Sequence, residues 1–79
     1  MRDLWKETGR DFSRRRDAIG LRQNAVAQAL GGWWAESNRL SNYEHGMLWA
    51  PIPMLEKLDY YLSEHEAADA RARLLLRDG

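Results

Sequence analysis

Glycines at positions 20, 31, 32 and 46 and prolines at 51 and 53 cut the middle of this 79-residue chain into short pieces. Between these breaks, apolar residues recur at intervals of three and four, the period of a helix packed on one side. A chain punctuated this way builds a cluster of short helices. Leu4, Trp5, Thr8, Phe12, Arg15, Arg16 and Ile19 share one stripe of a first helix, which Gly20 ends. Gln23 to Leu30 reads as a second helix with Val26, Ala27 and Leu30 inward, stopped by Gly31 and Gly32. A third is expected from about Ala35 to Tyr43, with Leu40 and Tyr43 inward and Gly46 closing it. Pro51 and Pro53 mark the start of a fourth, because proline is tolerated in a first helical turn. Ile52, Leu55, Leu58 and Leu62 form its apolar face.

Ser63 and Glu66 have the spacing of a capping box, which predicts a new helix over about 63–77 with Ala67, Ala70, Leu74 and Leu75 on its apolar side. No run alternates as a strand does. The expected fold is all-α, five helices in a single domain over 1–79. A chain of this size buries only ~60% of the surface its unfolded form exposes. It contains no cysteine to staple that small core, which also fits a cytoplasmic protein. The charged N-terminal residues do not read as a signal peptide, and the uncharged run GMLWAPIPML is too short for a membrane helix.

The net charge is zero, yet the charges are not spread evenly. Residues 1–23 carry seven basic and four acidic side chains, and residues 47–79 carry four and six. A local basic face suffices for phosphate binding whatever the sum. The two histidines, His45 and His65, have no nucleophile or ligand set around them in sequence, and no glycine-rich phosphate loop is present. An enzyme, a metal site and a bound cofactor are therefore not expected. His65, Glu66 and Asp69 have a helical metal-site spacing, but one such cluster reads as solvated charge.

The pieces GLRQNAVAQALG, SNRLSNYEHG and KLDYYL occur in that order between Arg16 and Leu62. Together they resemble the helix-turn-helix of lambda-repressor-like (Cro/repressor type) DNA-binding domains. In that family a glutamine opens the first motif helix, a small residue follows four positions on, and a glycine ends the turn. Gln23, Ala27 and Gly31 match. An aliphatic residue and then Tyr-Glu-x-Gly close the second motif helix, matched by Leu40, Tyr43, Glu44 and Gly46. Elementary packing agrees, since two helices crossing steeply need a small side chain such as Ala27 at the contact.

The resemblance implies several roles. Arg16 and Glu44 would form a partly buried ion pair tying the first helix to the end of the third. Ser37, Asn38 and Asn42 would occupy base-contact positions in the major groove, with Arg39 and Ser41 beside them. Arg22 and Gln23 would hold phosphate at the start of the second helix, with Arg14 and Arg15 as further candidates. Relatives act as homodimers on near-palindromic operators. Leu74, Leu75 and Leu76 offer a dimer interface unless they cap the domain's own core. The implied function is a sequence-specific regulator binding double-stranded DNA, a bacterial or phage repressor working at the nucleoid. Repression is expected because no additional domain is available to sense a ligand or recruit polymerase.

The chain departs from the family pattern by three extra residues between Gly31 and Tyr43, a region that holds Trp33 and Trp34. Those indoles could fold back over the core, lie on the DNA backbone, or join Met47 and Trp49 in a surface for a protein partner. The last option defines the alternative function, an antitoxin or anti-repressor built on the same fold.

Overall fold

The computed structural model describes residues 4–77, all of whose regular structure is helical. Five helices follow in order: α1 (Leu4–Ala18), α2 (Gln23–Leu30), α3 (Gly32–Ala35), α4 (Arg39–Glu44) and α5 (Ile52–Arg77). Phe12 from α1, Val26 and Leu30 from α2, Trp34 from α3, Leu40 and Tyr43 from α4, Ala50, and Leu58 and Leu62 from α5 converge on one core. Each helix contributes one or two residues because each presents a single apolar stripe. None of these helices is long and apolar enough to cross a membrane.

The number of helices is the expected one, but two of them are different. The expected break at Ser63 does not occur, and one 26-residue helix runs through it. The reason is tertiary. Asp59, Ser63 and Glu66 lie four and three residues apart, on one face of an unbroken helix. There the Arg15 guanidinium reaches all three, at 2.7 Å to Asp59, 3.2 Å to the Ser63 hydroxyl, and 3.0 and 2.8 Å to the two Glu66 oxygens. This cluster holds the carboxyl of Glu66 below its ordinary pKa, chiefly through the hydrogen bond from Arg15. A chain break at Ser63 would scatter it.

The fifth helix is instead α3, a single turn built from the extra residues. It is entered through Gly31 and Gly32, both in the left-handed region at φ 66° and 52°. Two consecutive residues at positive φ explain why both are glycine. Glu36 is extended, and Ser37 and Asn38 then return to the left-handed region at φ 50° and 56°. The expected helix from Ala35 to Tyr43 is thus split, and α4 starts only at Arg39. Ser37 and Asn38 are not helical residues, a correction to the sequence reading. Burial of Trp34 causes the split. Its indole lies edge-on to Tyr43 of α4 at 5.6 Å and donates to the Met54 carbonyl of α5 at 2.9 Å, which holds α3 in its own direction against both helices.

Helix α1 crosses α4 at Gly9, where an added Cβ would stand 2.2 Å from the Tyr43 carbonyl oxygen. Gly→Ala in the interior of a helix normally stabilises by ~0.5–1 kcal/mol. Here the sign reverses, because the obstructing atom is backbone and cannot rotate away. Gly9→Ala is expected to destabilise by ~2 kcal/mol, the usual cost of overpacking. Thermal unfolding of the two proteins side by side checks this, and a more stable alanine variant would refute the close approach.

Candidate functional site

The polar centre of the molecule is the Glu44 carboxylate at the end of α4. Arg16 donates to it twice, from Nε to Oε2 and from Nη2 to Oε1, each at 2.9 Å. Gln23 Nε2 donates to the same Oε1 at 2.8 Å. A third Arg16 nitrogen, Nη1, reaches the Leu21 carbonyl at 2.6 Å. The side chains of Arg16 and Glu44 are only 10% and 3% exposed. Planar guanidinium and carboxylate meet edge to edge, the geometry that most favours such a pair. Hydrogen bonding to Glu44 raises the Arg16 pKa further above its ordinary value. One carboxylate therefore joins α1, the first residue of α2 and the end of α4, and sets α4 against α2. Tyr43 beside it is fully buried, and its hydroxyl has no hydrogen-bond partner among the described residues. Burial, aided by the Asp11 carboxylate, pushes that phenol up to about 12.

Between α2 and α4 the surface opens into a groove of about 400 Å³. Its polar lining is Gln23, Asn24 and Gln28 from α2, Asn38 from the turn, and Ser41 and Asn42 from α4. Ala27, Trp34, Ala35 and Leu40 complete the wall, and no charged side chain among the described residues takes part. Asn38, Ser41 and Asn42 were anticipated at this site from the sequence. Asn24 and Gln28 were not, although their four-residue spacing, continuing from the helix start at Gln23, was the available signal. Ser37 is exposed in the turn and does not line the groove.

Two arginines expected at the site are committed elsewhere. Arg39 donates to the Trp33 carbonyl at 3.1 Å, lies over the Trp33 ring at 4.6 Å, and pairs with Glu36 at 3.6 Å. Arg15 is held by the acidic face of α5, so it does not offer its charge to a phosphate. Arg14 is exposed and 3.5 Å from Asp11. Arg22 is exposed at the residue preceding α2, with no contact to an acidic group among the described residues.

The remaining expectations concern apolar surface. Trp34 is 1% exposed and belongs to the core, so it cannot serve a partner surface as the sequence reading allowed. Trp33 is half-buried, whereas Met47 and Trp49 are 70% and 61% exposed in the loop after α4. Leu74, Leu75 and Leu76 are all exposed on the last turns of α5, so they do not cap the domain's own core. No protein-family model matches the chain, and neither does any curated protein or solved structure.

Proposed function

We propose that the chain is a helix-turn-helix regulator of the lambda-repressor-like kind that binds double-stranded DNA. In this reading α2 and α4 are the two motif helices, and the groove between them faces the base edges. The chain acts as a repressor on a near-palindromic operator, paired with a second copy through the exposed leucines of α5. The observation that carries the reading is the Glu44 cluster. It draws together Arg16, Gln23 and Glu44, residues that the motif alone singled out, beside a groove whose polar side chains come from α2, α4 and the turn before α4. The departure is α3, which lengthens the connection between the motif helices and delays the start of the second.

Selection of binding sites from random duplex DNA, followed by footprinting, tests the proposal. Enrichment of a two-fold repeated sequence is the expected outcome, and no enrichment would overturn it. Variants then separate reading from positioning. Because Asn38 sits at positive φ, glycine is the replacement that removes its amide without backbone strain. Asn38→Gly should cost ~1–3 kcal/mol of binding and relax one base position. Arg22→Ala should weaken every sequence alike and reduce the salt slope by ~1. Uniform loss across all positions for Asn38→Gly would remove it from the reading set.

A second reading keeps the fold and changes the partner. Met47, Trp49 and Ile52 are exposed large apolar residues within six positions of one another, more than a loop of a small monomer needs. They would serve an antitoxin or anti-repressor. Copurification of a second protein, lost on Trp49→Ser and unaffected by competitor DNA, would favour that reading.

A further inference from the structure

The groove between α2 and α4 has an unusual chemical uniformity. Asn24, Gln28, Asn38 and Asn42 each bring a carboxamide to it, and none of the four makes a side-chain hydrogen bond within the described residues. Gln23 adds a fifth carboxamide, with its nitrogen directed to Glu44. The Ser41 hydroxyl is a further polar group in the lining. Among the described residues, no arginine, lysine, aspartate or glutamate lines the groove.

Base edges in the major groove differ in what they demand. Guanine presents two acceptors, O6 and N7, and is matched by a guanidinium or ammonium. Cytosine presents the N4 donor and is matched by a carboxylate. Adenine presents one donor, N6, beside one acceptor, N7, and a carboxamide satisfies both at once. We infer that this groove selects adenine: the half-site bound by the chain carries adenines in the major groove under α4, read at N6 and N7 by the carboxamides of Asn38 and Asn42. This rests on the DNA-binding reading above and specifies its ligand.

The extra turn acquires a role from the same geometry. Arg39 opens α4 and is the guanidinium nearest in sequence to the groove residues Asn38 and Ser41. It is kept out of the lining by the Trp33 carbonyl, the Trp33 ring and Glu36. Both holding residues flank or belong to α3. The additional residues thus withhold the side chain that would otherwise favour guanine, and leave the reading surface to neutral groups.

The test needs no variant of the protein, so a folding defect cannot imitate the result. Random duplex DNA is selected with the intact chain, and each adenine of the enriched half-site is replaced singly by 7-deazaadenine. That base keeps its pairing and its N6 donor but loses the N7 acceptor. The expected result is an adenine-bearing half-site in which at least two such replacements each weaken binding roughly 5- to 150-fold. An enriched half-site read at guanines, or full tolerance of 7-deazaadenine at every position, overturns the inference while leaving DNA binding intact. Failure to enrich any duplex overturns the DNA-binding reading and this inference together.

Discussion

Trp34→Ala is expected to remove ~4 kcal/mol of stability, within the range for deleting a large aromatic from a core. The side chain is 1% exposed, so almost all its apolar surface is returned to water or replaced by a void. Its loss would also break the middle of an aromatic chain. Trp33 meets Trp34 at 4.9 Å, Trp34 meets Tyr43 at 5.6 Å, and Tyr43 meets Phe12 at 6.2 Å. That chain links the extra turn to α1 through the centre of the molecule. The indole N–H that ties α3 to the Met54 carbonyl disappears as well. A domain of this size has a total stability of only ~5–15 kcal/mol, so the variant should be partly unfolded at moderate temperature. Urea melts followed by circular dichroism measure the effect. A loss below ~1 kcal/mol would show that the turn is not part of the core.

Arg16→Met is expected to destabilise by ~3 kcal/mol, because it strands the Glu44 carboxylate in a buried position with only the Gln23 amide as donor. The loss is mainly the penalty of an unpaired buried charge, not the intrinsic worth of the pair. Two further proteins separate these contributions. Glu44→Leu alone leaves the guanidinium with the Leu21 carbonyl and the exposed Asp17 carboxylate, and without its buried partner. The double replacement Arg16→Met with Glu44→Leu removes both charges and should recover most of the loss, so that the two single effects are far from additive. Additive losses, or a change of a few tenths for Arg16→Met, would contradict the coupling. The same proteins bear on function. If Glu44 sets α4 against α2, the double variant can be stable and still bind DNA poorly.

Much of the local structure could be read directly from the sequence. Gly31 and Gly32 marked the end of α2, the Gln23-to-Leu30 stripe gave that helix its bounds, and the inward positions Val26, Leu30, Leu40, Tyr43, Leu58 and Leu62 are core residues. The resemblance alone implies the Arg16 and Glu44 pair that the structure contains. Other positions misled. Leu4 and Ile52 lie on apolar stripes yet are exposed, because a stripe does not say where the neighbouring helix ends. The Ser63 and Glu66 spacing suits a capping box, but both side chains are engaged by Arg15, 48 and 51 residues away in the sequence. At the groove, Asn24 and Gln28 are not legible in the sequence, because a polar residue on a short helix looks the same whether it faces water or a ligand.

What the sequence determined by itself is what depends on neighbours along the chain: helical periodicity, the glycine breaks and the all-helical class. These follow from φ/ψ preferences and from the alternation of apolar and polar faces, which act over three or four residues. Only the tertiary structure decided which tryptophan is buried, that α4 begins at Arg39, that α5 is continuous, and that Arg15 and Arg39 are occupied while four carboxamides remain unpaired in one groove. Those outcomes turn on contacts between residues distant in sequence, where burial of one indole or pairing of one guanidinium outweighs the small local preferences that composition and spacing express.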